Sequence, residues 1–505
     1  MKSLLDLLDD ILFHVFRHFI FSSGVEGLIR LETVCKRMRE ICLSRTCWID
    51  ALETLENRPP FTTSRSSLLE LSAADLRKEV TRAIKLDQSW KAAGGPPITE
   101  EINIHHPNRR YERILPLPEV NLVFASYPGT RSGIHCWSIS QKRLIWEHNI
   151  SLTNEMSVSH GFQWCIEFDC DVTDDHSTVL IALLFMRNGQ SGGWCVQVHQ
   201  LDTRTFNCEL LFESQPMSAI INGYIVVNYH DIRIRNHYIV LLTYNKDTSQ
   251  AALIFMNWRG KEFFRINNTP NTKIGSSIAL TQDAIFFICP VDSATNRQHR
   301  LVGIRYGDLA GNSACNSEDW TTFESADLQD RGVYSNIILE RERPPTHGLR
   351  SEYCQFWMTA IVTTWSRTPT TRISVTFNEL ASSREDSGIS IFDVAFTLDA
   401  GHGLFKVIHL YSKVLRPMTF LTIPSAAMRA VIRPIERERA TTFAVIVNAD
   451  SHRIIDTERI HPLLRQSLTA TAGVINTWKA GMDSRGRIMV YLDDSNQSIV
   501  IIRFD

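Results

Sequence analysis

The chain has 505 residues, a formal net charge of -2 and 44% hydrophobic residues. That length accommodates a large core and more than one domain. The near-neutral balance excludes global attraction to nucleic acid or acidic membranes, and no apolar run reaches the roughly eighteen residues of a membrane span.

The first elements are helical. Leu4, Leu5, Leu7, Leu8, Ile11, Leu12, Val15, Phe16 and Phe19 recur at three- and four-residue spacing, which places them on one broad face. Leu28, Leu31, Val34, Cys35, Met38, Ile41 and Cys42 do the same in a second helix, for which Ser23 and Glu26 have capping-box spacing. Two helices cannot hide two wide apolar faces from water. The remainder is expected to form a contact surface for another protein or for the rest of the chain.

The residues themselves follow a recognisable order. Leu7-Leu8-Asp9-Asp10-Ile11-Leu12 leads into an aromatic-rich helix, then Leu31-Glu32-Thr33-Val34-Cys35-Lys36-Arg37, and Trp48 follows after a short gap. Residues 4–50 resemble an F-box. Two positions depart from the family pattern: Leu8 stands where proline is usual, and Met38 where an aromatic is usual. The resemblance implies that Leu7, Leu8, Ile11, Leu12, Val15, Phe16, Leu31, Val34, Cys35 and Trp48 form or support the surface for the Skp-type adaptor of a cullin ubiquitin ligase. On periodicity alone, the same helices also fit ordinary packing against the C-terminal domain.

A helical spacer is expected over 51–109. Pro59-Pro60 breaks the chain, and Ser72-Ala73-Ala74-Asp75 has capping-box spacing. Leu76, Val80, Ala83, Ile84 and Leu86 then form one face, and Gly94-Gly95-Pro96-Pro97 ends the helix.

From about residue 110 to 505 the pattern changes to short runs of β-branched and aromatic residues separated by turn residues. Trp164–Asp171, Thr178–Met186, Trp194–Leu201 and Cys208–Glu213 read as four consecutive strands. Tyr224–His230, Tyr238–Tyr244, Ala251–Asn257 and Lys261–Ile266 read as four more, with Trp258-Arg259-Gly260 at a hairpin tip. Quartets at a period of about forty to fifty residues are a propeller signature. The fold expected is therefore mainly β with an α-helical N-terminus: F-box helices, the spacer, and a β-propeller of about six to eight blades. Cys136-Trp137-Ser138-Ile139 followed by Arg143-Leu144-Ile145-Trp146 resembles a degenerate WD-type blade, and the whole resembles a fungal-type F-box protein. A large β-sandwich or two stacked sheet domains is the alternative. Ser498–Phe504 suits a closing strand, expected to pair near residue 120.

Little in the sequence carries chemistry. It contains no nucleophile elbow, zinc-protease helix, phosphate-binding loop or dinucleotide fingerprint. The eleven cysteines form no CxxC pair or zinc array. His105-His106-Pro107 lacks a third ligand at useful spacing and reads as a solvated loop. Acidic residues Asp6, Asp9 and Asp10 interrupt any signal-peptide core. With unpatterned thiols, this points to a reducing compartment, cytoplasmic or nuclear.

No catalytic residue, cofactor or metal is expected. The partners implied are a Skp-type adaptor, through it a cullin, and an unidentified protein substrate. The polar stretches Gly307–Arg350 and Ala381–Gly388 are candidate binding loops. Two other readings stay open: an F-box scaffold outside the ligase, and a propeller enzyme or small-ligand binder with an accessory helical cap.

Overall fold

A computed structural model describes residues 8–54, 70–91, 98–106, 109–128, 131–151, 167–173, 175–187, 193–215, 217–218, 220–221, 224–225, 227–245, 250–260, 262–269, 278–281, 284–290 and 298–308, and between 321 and 504 the strands given below together with residue 497. Leu7, Leu68-Leu69, Gly94–Pro97, Cys165, Gly401–Gly403, Asp493-Asp494, most of 307–350 and nearly all of 381–388 lie outside the described residues.

Among the described residues four helices form the N-terminal unit: α1 (Asp9–Leu31), α2 (Lys36–Cys42), α3 (Arg45–Thr54) and α4 (Ala73–Lys91). The break expected near Ser23 does not occur, and α1 is continuous for 23 residues. Packing explains this. Ile20 before Gly24 and Val25 and Leu28 after it all enter one core, and burial of that face outweighs the local cost of glycine in a helix. The expected residues do cap α4: Ser72 Oγ accepts the Asp75 backbone N–H at 3.2 Å and donates to Asp75 Oδ2 at 2.6 Å. Leu76, Val80 and Ile84 of α4 join the same core as Leu12, Phe16, Ile41 and Trp48. The spacer helix therefore completes the N-terminal unit, and the clustered core side chains all come from the helical residues and the turns that join them.

The remainder is β-structure. The first sheet is β2 (Arg113–Leu117), β3 (Leu122–Tyr127), β4 (Arg131–Ser138) and β5 (Arg143–Ser151), and it follows β1 (Ile98–His105) in the chain. The second is β6 (Glu167–Val172), β7 (Thr178–Arg187), β8 (Gly193–Asp202) and β9 (Cys208–Glu213), with β10 (Met217–Ser218) also on β8. A two-stranded ladder of β11 (Ile220–Ile221) and β12 (Tyr224–Ile225) precedes the third sheet of β13 (Val227–Arg235), β14 (Tyr238–Asn245), β15 (Gln250–Asn257) and β16 (Glu262–Thr269). The fourth contains β17 (Ile278–Leu280), β18 (Ala284–Pro290), β19 (Gln298–Arg305) and β21 (Ile337–Glu340). Between β19 and β21, β20 (Thr321–Phe323) leaves the fourth sheet and adds to β16 in parallel. Both β20 and β21 fall in the stretch expected to be irregular.

The fifth sheet is β22 (Cys354–Thr363), β23 (Thr370–Glu379), β24 (Gly388–Leu398) and β25 (Phe405–Leu415). The sixth is β26 (Phe420–Pro424), β27 (Arg429–Pro434), β28 (Phe443–Val447) and β29 (His452–Ile455). The seventh joins β30 (Ala480–Met482), β31 (Ile488–Leu492) and β32 (Ser498–Phe504) to β1.

Among the described residues each of these seven sheets holds four antiparallel strands; the second and third carry β10 and β20 as a fifth strand, the seventh takes β1 from the start of the domain, and no sheet closes on itself. At six of the seven junctions the first strands lie side by side: β2 against β6, β6 against β13, β13 against β17, β17 against β22, β26 against β30 and β30 against β2. This is a β-propeller of seven blades, within the expected range. Apolar side chains fill the seams between blades, as with Leu184, Val198 and Ile254 between the second and third sheets. Radial repetition leaves only short, protected edges.

The closing strand corrects one expectation. Ser498–Phe504 pairs with β1, not with a strand near residue 120, in a register that opposes Ile102 to Ile501 and Ile104 to Ile499. Ile102 and Ile104 are buried in the seam beside Val123 and Ala125. The last segment of the expected spacer is thus part of the propeller, which begins at Ile98 rather than near 110.

Candidate docking surface on the N-terminal helices

The inner face of α1 is set by Leu12, Phe16 and Ile20, whose four-residue spacing stacks them toward the helical core, each 2% exposed or less. Leu8, Ile11 and Val15 fall on the other side, 72%, 46% and 38% exposed. They are spaced three and four residues apart and form an apolar stripe at the start of the helix. Leu8 itself is the extended N-cap residue.

Past the far end of α1, Val34 is 64% exposed in the turn to α2. The turn is held by Thr33 Oγ1 donating to the Arg30 carbonyl at 2.7 Å and by the Val34 N–H donating to Leu31 at 3.1 Å. Cys35 then caps α2, its Sγ accepting the Met38 N–H at 3.5 Å. Leu31 stands sixteen helical positions after Val15, about 24 Å along the axis. Val34 and the Leu8–Ile11–Val15 stripe are therefore separate exposed apolar spots.

The other positions singled out in the sequence are structural. Leu12, Phe16 and Trp48 are core residues, while Leu31 and Cys35 are partly buried against that core. Arg77 lies over the Trp48 ring at 5.8 Å and donates to Glu32 Oε2 at 2.6 Å, tying α4 to the end of α1. The Trp48 indole N–H and Glu32 Oε1 are both buried without a hydrogen-bond partner. Burial pushes the Cys42 thiol up to about 12 and raises Cys47 as well, which makes both poor nucleophiles.

Sequence reasoning missed the polar groups that fasten the inner strands. Glu167, Asp169 and Asp171 alternate along β6, and all three are buried. Arg113 of β2 pairs with Glu167, Arg233 of β13 with Asp169 at 3.5 Å, and Arg235 with Asp171. The signal was present: three carboxylates at two-residue spacing in a buried strand require partners. Among the described residues no group of three or more His, Cys, Asp or Glu side chains could hold a metal, and no described helix is long and apolar enough to cross a membrane.

No protein-family profile matches the chain, and no curated protein matches it. Solved structures do overlap with it. A chain of the mitotic checkpoint complex is 8% identical with a TM-score of 0.39, covering 81% of this chain and 96% of its own. The β-propeller domain of Cps50 (Swd1) from Myceliophteria thermophila is 9% identical with a TM-score of 0.37, covering 81% and 100%. The WD40 domain of SCAP from fission yeast is 8% identical with a TM-score of 0.38, covering 80% and 94%. The seven-blade architecture is established by the strand order and pairing of this chain itself.

Proposed function

We propose that this chain is a non-catalytic protein-interaction scaffold, and specifically an F-box substrate receptor. The helical unit would hold a Skp-type adaptor and, through it, a cullin, while the propeller would select a protein for ubiquitination. The mechanism is proximity: a substrate lysine held near the charged ubiquitin carrier reacts at a raised effective concentration. Such a receptor would work in the cytoplasm or nucleus.

One observation carries this reading. In a segment that resembles an F-box, α1 buries Leu12 and Phe16 in a core of its own yet leaves Leu8, Ile11 and Val15 in solvent. Exposed large apolar side chains grouped on one helix face are a contact surface awaiting a partner.

The test is co-expression of the full chain with a Skp-type adaptor, followed by size-exclusion chromatography. A one-to-one complex that is lost in the Ile11→Asp variant supports the reading. A chain that elutes alone, with its propeller folded, rejects the adaptor role. Addition of a cullin then separates a ligase subunit from a scaffold acting outside the ligase.

A further inference from the structure

Histidine pairs flank the first sheet on both sides. Toward the seventh sheet, the His106 and His135 ring centroids lie 5.1 Å apart. Toward the second sheet, His148 and His199 lie 4.7 Å apart. His135 and His199 are buried, and Nδ1 of His106 is buried without a hydrogen-bond partner.

The first seam contains the chain segment that leaves β1. His135 Nδ1 contacts the Tyr111 hydroxyl at 2.9 Å, and its Nε2 contacts Glu147 Oε1 at 3.2 Å. Trp137 Nε1 donates to Tyr111 at 3.2 Å, and Tyr127 donates to Asn149 Oδ1 at 2.7 Å. Arg109 lies over the Tyr127 ring at 4.5 Å. His105 and Arg109 also act on His106 electrostatically, both disfavouring its charged form, while Glu147 favours it. The second seam is simpler: Trp146 stacks on His148 at 5.8 Å, and the Gln197 side chain contacts His199 at 3.2 Å.

We propose that the first sheet is an acid-sensitive latch on the propeller ring, loosened below about pH 6 by protonation of these two histidine pairs. Charge counting supports this. Protonating His106 and His135 beside Arg109 sets three cations, with His105 next to them, against the one carboxylate, Glu147. At the second seam, two imidazolium ions would face each other with Gln197, a neutral amide, beside them. Burial already holds His106, His135 and His148 below the ordinary histidine value, and holds His199 at about 4. A histidine whose pKa is depressed by folding binds its proton more readily when unfolded. Its stabilising effect is complete above the unfolded value and is lost as pH falls through that value toward the folded one. The residues from β1 to β5 include β1, the partner of the closing strand β32, so loosening them also loosens ring closure.

Hydrogen exchange of the full chain at about pH 7.5 and about pH 5, corrected for intrinsic exchange, tests the latch. Because burial and the neighbouring His148 hold His199 of β8 at about 4, protection on both sides of the seam between the first and second sheets should fall by roughly tenfold or more at the lower pH. β1 to β5 and β32 should lose protection ahead of β14, β15, β18 and β19. A uniform loss across all sheets, or none, overturns the proposal. The His148→Gln/His199→Gln double variant should lose much of the response, and a folded variant that keeps all of it overturns the proposal as well. If that variant does not fold, the wild-type exchange pattern alone decides.

Discussion

Asp169 on β6 accepts the backbone N–H of Ile234 on β13 at 2.9 Å, across the seam between the second and third sheets. Two residues along, Asp171 accepts the Asn236 N–H at 2.6 Å. Neighbouring blades are thus joined at the inner wall by carboxylates that replace a strand ladder. Asp169→Ala leaves a buried N–H unpaired and removes the counter-ion of Arg233, so it should cost about 3 kcal/mol. Urea unfolding monitored by tryptophan fluorescence checks this. A change below about 0.5 kcal/mol, the range of neutral surface substitutions, would show that the seam does not depend on the carboxylate.

Gly133 on β4 has no room for a side chain. A Cβ there would meet the carbonyl oxygen of His148 and the hydroxyl of Tyr127. Gly133→Ala should therefore destabilise the chain by about 1–3 kcal/mol, the usual cost of overpacking. The Gly133→Ala/Tyr127→Phe double variant removes one of the two obstacles, so thermal melting should show partial recovery. No recovery would place the strain at the His148 carbonyl instead.

Ile11 and Leu12 are adjacent in sequence and opposite in consequence. Leu12 is fully buried, whereas Ile11 is 46% exposed. Leu12→Asp should unfold the helical unit, since deleting a buried leucine costs about 2–5 kcal/mol even before a charge is introduced. Ile11→Asp should keep helical circular dichroism and thermal stability while losing a partner bound at the stripe. If both variants melt like the wild type, the inward face of α1 has been misassigned.

Much of this was legible in the sequence, and the failures have physical causes. Strands β9 and β32 match their expected bounds because turn residues bracket compact β-branched or apolar runs. The stripe on α1 was visible as spacing. Spacing alone could not tell the inward residues from the outward ones, because the leucine-rich segment is apolar around most of its circumference. β1 was missed although Ile102 and Ile104 alternate as in a half-buried strand, because its pairing partner lies at the opposite end of the domain. The seam carboxylates escaped for the same reason: Arg233 and Arg235 lie a whole blade away from Asp169 and Asp171 in the chain.

Burial holds the thiol of Cys42 at about 12. Only the thiolate attacks a disulfide reagent, so Cys42 should react with an aromatic disulfide at about pH 8 only after the helical unit opens. Labelling followed by peptide mass spectrometry should find Cys42 unmodified in native buffer and fully modified in denaturant. Rapid native labelling would mean that the helical core opens readily.

The pairing of β1 with β32 makes ring closure depend on seven residues, Ser498–Phe504. In β32, Ile499, Val500, Ile501 and Ile502 are all buried, and the strand also pairs with β31 on its other side. A chain truncated before Ser498 loses that apolar strand and exposes two facing edges, β1 and β31. Exposed edges recruit other strands. The truncated chain should elute as dimers or larger species, and a peptide of sequence 498–504 supplied in excess should restore the monomer. If the truncated chain stays monomeric and melts at the wild-type temperature, the seventh sheet is not what closes the ring.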